Sequence, residues 1–121
     1  MFDAKEYEQL GKSPRVIAVG ECGLDYFRCD ESSKELQKNV FIEHIELANR
    51  LDKALMLHIR TSDGKDAYNA ALEILKAYAK VKGDVHFFAG SWEVAQRFFA
   101  LHVLGELSKR FAFQPCLSRL Q

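Results

Sequence analysis

Val16-Ile17-Ala18-Val19-Gly20-Glu21-Cys22-Gly23-Leu24-Asp25-Tyr26 is the stretch on which the fold turns. Its first four residues are an apolar run rich in β-branched side chains, which reads as a short buried strand ending at the glycines. The pattern recurs downstream. Leu55-Met56-Leu57 is a second apolar run, ending in His58-Ile59-Arg60, and Asp84-Val85-His86-Phe87-Phe88 is a third. Between the first two runs, Leu36, Val40, Phe41, Ile45, Leu47, Ala48 and Leu51 form one face at helical spacing. Ser32-Ser33-Lys34-Glu35 ahead of them fits a capping box. Between the second and third runs, Ala67, Ala70, Ala71, Ile74, Leu75 and Tyr78 supply another helical face, with Asp63 as its cap and Gly83 where a C-cap glycine belongs. A short helix over 2–10, around Phe2, Tyr7 and Leu10, precedes all of this. Ser91 caps a last helix that turns Val94, Ala95, Phe98 and Phe99 inward. Beyond Leu101 the periodicity fades, and Phe111 to Gln121 has no clear period. Strands alternating with helices predict an α/β fold of parallel β-α-β units with right-handed crossovers. Strands apolar throughout predict a sheet covered on both faces.

A chain of 121 residues is a single short domain. With 48% apolar and 28% charged residues it is a globular mix and not a disordered chain. Seventeen basic residues balance seventeen acidic ones, which excludes a broad electrostatic grip on nucleic acid, so any phosphate recognition must be local. The apolar runs are too short to span a membrane, and the residues after Met1 lack the pattern of a signal peptide. Cys22, Cys29 and Cys116 include no Cys-x-x-Cys pair, which argues against a disulfide framework or zinc knuckle. They fit small buried thiols in a reducing cytoplasm, or in the nucleus of a eukaryotic cell.

In parallel α/β folds ligands meet the carboxyl ends of the strands. There the sequence places Glu21, His58 and His86, one after each run. Neighbouring strands lie about 4.8 Å apart, so one carboxylate and two imidazoles can converge on a single divalent ion: zinc, or iron or manganese with open positions. The plainer reading of each residue alone is a hydrogen-bonded core histidine or a turn carboxylate. Arg60, two residues past His58, shares its face in an extended segment and can fork onto a phosphate; its structural alternative is an ion pair with Asp25, Asp63 or Asp66. Tyr26, Phe27 and Arg28 follow the first run and read equally as loop packing or as a seat for a base and a phosphate. His44, His102 and Trp92 read as structural.

Three motifs in this order, Gly20-Glu21-Cys22-Gly23-Leu24-Asp25-Tyr26, His58-Ile59-Arg60 and His86-Phe87-Phe88-Ala89-Gly90, resemble the successive signatures of the TatD-type metal-dependent deoxyribonucleases. Phe41-Ile42-Glu43-His44-Ile45-Glu46-Leu47-Ala48 resembles the family's helix before the second motif. The resemblance covers about 16–99. It implies a (β/α)8 TIM-type barrel, present here as about three parallel strands with flanking helices. It also implies hydrolysis of phosphodiester bonds in DNA at a centre of one or two divalent ions (Mg, Mn or Zn). By the same resemblance Glu21, His58 and His86 are metal ligands, Glu21 and Arg60 act in catalysis, and Tyr26, Arg28 and Arg60 contact substrate. The family's opening His-x-His and its late aspartate ligand have no counterpart, and residues 100–121 do not align. A complete barrel takes about 250 residues. Residues 1–121 are therefore expected to form one partial domain, a truncated isoform with weak or absent turnover. A non-catalytic half-barrel module, or a hydrolase of amides or esters, is the alternative. Open sheet edges predict self-association.

Overall fold

Eight elements alternate along the chain: α1 (Ala4–Gly11), β1 (Ala18–Asp25), α2 (Glu31–Leu51), β2 (Ala54–Arg60), α3 (Ala67–Tyr78), β3 (Gly83–Phe88), α4 (Trp92–Ala100) and β4 (Phe111–Pro115). The structure, a computed structural model, describes residues 2–27 and 29–101, and the backbone of 111–115. The strands form one sheet in the order β1-β2-β3-β4, with each adjacent pair parallel. Sequential parallel order with crossovers of one hand is the arrangement of consecutive repeats of a (β/α)8 barrel. The sequence predicts about three strands; the structure adds β4, paired from Gly83↔Phe111 to Phe88↔Pro115. Five residues ending in proline are too few to display a period. Arg28, His102 and Cys116 lie outside the described residues. No helix among the described residues is long and apolar enough to cross a membrane.

The largest departure from the sequence reading is β1. It begins at Ala18 rather than Val16, leaves Ile17 exposed, and runs through the whole glycine motif to Asp25. A register shift against β2 between Val19 and Cys22 resets the side-chain alternation, as a bulge does. Val19, Cys22 and Leu24 are consequently buried together, while Glu21, Gly23 and Asp25 take the other face. Gly23 is required there. Its φ is 144°, and a Cβ would sit 2.1 Å from the His58 carbonyl oxygen.

Burial alternates along β2 as well: Leu55, Leu57 and Ile59 are buried, and Met56, His58 and Arg60 face the opposite way. One core lies between the sheet and the helices. Phe41, Ile45 and Ala48 of α2 and Ala71, Leu72 and Leu75 of α3 pack on Leu24, Leu57 and Val85. The expectation of a sheet covered on both faces is thus corrected. Crossovers of one hand in sequential order put the helices on one side, and the other side is free to carry polar groups.

Helix ends also differ from expectation. α2 starts at Glu31 with Asp30 at the N-cap position, so Ser32 lies inside the helix and the capping box does not form; the Ser33 hydroxyl donates to the Asp30 carbonyl at 2.8 Å. The cap of α3 is Asp66, accepting from the Asn69 N–H at 3.0 Å, and not Asp63. α3 ends at Tyr78 with Ala79 as its C-cap, and Gly83 opens β3 instead of closing a helix. Leu36, Tyr78 and Phe99, read as core, are exposed. Ser91 caps α4 as read, accepting from the Val94 N–H at 3.2 Å.

Candidate metal centre

The face of the sheet that the described helices leave uncovered gathers the polar residues. Register pairs Gly23 with His58 and Asp25 with Arg60 across β1 and β2, and His58 with His86 across β2 and β3. Glu21, His58 and His86 therefore sit within their strands, not beyond them. His58 stands between two carboxylates: its Nδ1 lies 3.8 Å from Glu21 Oε2, and its Nε2 lies 3.0 Å from Asp25 Oδ2. Asp25 is the residue that the sequence reading missed as a site member. Its signal was the two-residue period from Glu21 through Gly23, visible only once β1 is known to continue through the motif.

Asp25 is itself held on both sides. Its Oδ1 accepts the Phe27 N–H at 3.0 Å, which leaves Oδ2 for the imidazole. Gln37 of α2 reads its backbone: the Asp25 N–H donates to Gln37 Oε1 at 2.8 Å, and Gln37 Nε2 donates to the Asp25 carbonyl at 3.0 Å. A carboxylate that accepts the N–H of one ring nitrogen fixes the ring and turns the other nitrogen's lone pair outward. With the ring proton on Nε2 toward Asp25, the Nδ1 lone pair faces Glu21. Two acceptors facing each other call for a cation, and ligand distances of about 2.0–2.2 Å let one ion bridge such a gap.

The donor set thus fits a divalent ion in its chemistry but is not closed. His86 is one strand away, its ring edge-on to Phe87 at 4.6 Å. Among the described residues no group of three His, Cys, Asp or Glu stands close enough to hold an ion. Cys22 is no substitute. Burial, with a smaller contribution from the Glu21 charge, pushes its thiol up to about 12, and its Sγ lies 3.8 Å from the Met56 carbonyl.

Arg60 is on the His58 face, as its spacing predicts, and its guanidinium lies 3.7 Å from the Phe27 ring centroid. Tyr26 is placed differently from an open substrate contact. Its ring is buried, Lys34 Nζ lies 5.0 Å from its centroid, and burial raises its phenol. Two clefts flank His58. One, of about 610 Å³, runs between β1 and α2 and joins Glu21, Asp25 and His58 to Leu36, Val40 and Phe41. The other, of about 440 Å³, is lined by His58, Arg60, Thr61, Tyr68, Phe87 and their neighbours.

Known proteins are similar to this chain in sequence, and a solved structure is similar to it in fold. The uncharacterized metal-dependent hydrolase YabD of Bacillus subtilis is 38% identical over 91 residues, 74% of this chain and 33% of its own length. The deoxyribonuclease Tat-D of Schizosaccharomyces pombe is 36% identical over 85 residues, 70% of this chain and 27% of its own. The 3'-5' ssDNA/RNA exonuclease TatD of Escherichia fergusonii is 33% identical over 90 residues, 73% of this chain and 32% of its own. The chain spans about a third of the length of the curated relatives it matches. The crystal structure of YJJV, a TatD homologue from Escherichia coli, superposes with a TM-score of 0.69 at 31% identity, over 89% of this chain and 38% of that one. The family model for TatD-related DNases matches residues 1–114, wider than the 16–99 over which the motifs can be read. With the motifs, the parallel fold and the matched span in agreement, the chain belongs to the TatD-related DNase family.

Proposed function

We propose that this chain carries part of the active site of a metal-dependent phosphodiester hydrolase acting on DNA. In this reading Glu21, His58 and His86 bind a divalent ion (Mg, Mn or Zn), Asp25 orients His58, and Arg60 meets the substrate phosphate. One observation carries it: the His58 ring, fixed by Asp25 at 3.0 Å, turns its second nitrogen to Glu21 at 3.8 Å on the uncovered face. The names of the relatives, a deoxyribonuclease and a single-strand exonuclease among them, support the substrate class. A bound divalent ion supplies Lewis acidity toward a phosphoryl oxygen. The chain's own residues hold the imidazole, place a cation at Arg60, and keep Cys22 protonated beside the site.

The test is calorimetric titration of the purified chain with Mn²⁺ and Zn²⁺, followed by incubation with a labelled oligodeoxynucleotide. Cation binding that disappears in Glu21→Gln and His58→Ala is expected. Unchanged binding in both variants would sink the reading. A second reading rests on the open donor set: the chain is a half-barrel module without turnover. It predicts cation binding with the oligonucleotide left intact. In either reading the outer edge of β1 is a surface for self-association.

A further inference from the structure

The outer edge of β1 already pairs with an amide at one point. The Tyr26 N–H donates to the Arg60 carbonyl of β2 at 2.8 Å, so the groups of Asp25, one residue earlier, point away from β2. Gln37 takes both of them: the Asp25 N–H donates to its Oε1 at 2.8 Å, and its Nε2 donates to the Asp25 carbonyl at 3.0 Å. A side-chain amide thus sits where the peptide group of a neighbouring strand would. Backbone direction alternates along a strand, so Gly23 aims its N–H and C=O at the same edge, and among the described residues no strand pairs there. The edge is bordered by two clefts. One is the cleft of about 610 Å³ between β1 and α2; the other, of about 120 Å³, is lined by Tyr7, Leu10, Val16 and Leu47. His44 lines both, and together they border β1 from Ala18 through Gly23. The walls of the larger cleft differ in character. Leu36, Val40 and Phe41 of α2 are apolar, while Glu21 and Asp25 of β1 are anionic. Side chains of a strand alternate between two faces, so a strand laid against β1 sends alternate residues to each wall.

We propose that this edge docks an extended segment of a partner protein, in which basic and apolar residues alternate, by strand addition to β1. Main-chain hydrogen bonds and the apolar wall supply affinity, and Glu21 and Asp25 select basic side chains. Charge decides for such a partner over a second copy, whose own β1 would set carboxylates against carboxylates. The docking site lies beyond the hydrolase reading and needs no metal.

The experiment is fluorescence anisotropy of the whole chain in EDTA at low salt with three labelled hexapeptides: alternating valine and lysine, alternating valine and glutamate, and valine and lysine in two blocks. The alternating lysine peptide is expected to bind about tenfold tighter than either of the others and to weaken as salt rises. Methylation of its backbone nitrogens is expected to abolish binding, since the strand then has no N–H to donate. Leu36 is exposed on α2, so Leu36→Gln spares the core; it is expected to weaken the lysine peptide about tenfold, and Leu36→Met to keep it. Thermal melting of each variant checks that it folds. Equal binding of the lysine and glutamate peptides, wild-type affinity in Leu36→Gln, or no binding by any of the three would overturn the proposal. So would sedimentation showing a dimer that the lysine peptide leaves intact, which gives the edge to a second copy.

Discussion

Asp25 divides its two oxygens between the Phe27 N–H and the His58 ring, and that division decides what His58 can do. Asp25→Asn keeps the shape and removes the charge that orients the imidazole. The expected result is a loss of cation affinity of about 10–100-fold with little change in folding, read by the calorimetric titration. Cys22 gives a second prediction. Its thiol value is raised from 9.0 to about 12 by burial, so the native thiol stays protonated at pH 8. For a group so raised, the neutral form is favoured by folding; the contribution is complete below pH 9 and declines as pH climbs toward 12. Iodoacetamide at pH 8 is expected to leave Cys22 unlabelled in buffer and to label it in denaturant, as peptide mass spectrometry would record. Labelling at equal rates in both would show the thiol to be accessible. At this scale the sequence placed Glu21, His58 and His86 after three successive apolar runs, and the structure sets Glu21 beside His58 and leaves His86 one strand away. Asp25 stayed hidden, because its contact with His58 needs the length of β1, which is not written in residue type.

Gln37 ties α2 to the end of β1, so the site depends on an element that contributes none of its ligands. Gln37→Leu removes both bonds to the Asp25 backbone and leaves a partly buried N–H and C=O without this partner. A loss of about 1–3 kcal/mol in urea denaturation is expected, together with weaker cation binding. The β1–β2 pair is sensitive at Gly23, where a methyl group would meet the His58 carbonyl at 2.1 Å. Gly23→Ala is expected to cost about 2–4 kcal/mol, since strain at a positive φ adds to the clash. A variant as stable as the wild type in the same denaturation would mean that the two strands can separate without penalty. Element boundaries explain the misreadings. An apolar run marks a strand only while both of its faces are apolar, so Val16–Val19 drew attention and the polar-faced remainder of β1 did not. Asp63 and Asp66 are equally good caps by type, and the turn containing Gly64 decides for Asp66. β4 was illegible because five residues carry too little pattern.

The described residues form a row of barrel repeats with one face of the sheet left uncovered among them, and their order was legible because α/β alternation and handed crossovers leave few arrangements. Which face stays open was not, since that follows from the sheet's order and not from any strand alone. The consequence is an edge. β1 has β2 on one side, and among the described residues no strand pairs its other side. Its outer backbone groups therefore offer a template for a further strand. Beside that edge Ile17 is 84% exposed and Leu36 is 64% exposed, so a strand laid there gains apolar contact as well as hydrogen bonds. Glu21 and Asp25 act against it. In an antiparallel pairing of two β1 edges centred on Gly23, each carboxylate of one copy faces a carboxylate of the other. Charge repulsion at low ionic strength should then hold copies apart, and salt should relieve it over a Debye length of about 10 Å at 0.1 M. Sedimentation velocity is expected to show weight-average mass rising with protein concentration, and rising further between 20 and 500 mM salt, roughly spanning strong and weak screening. Asp25→Asn should move association to lower salt by removing one of the repelling charges. A monomer at every concentration and salt level would mean that the β1 edge is protected by the molecule itself, and the edge-pairing account would have to be given up.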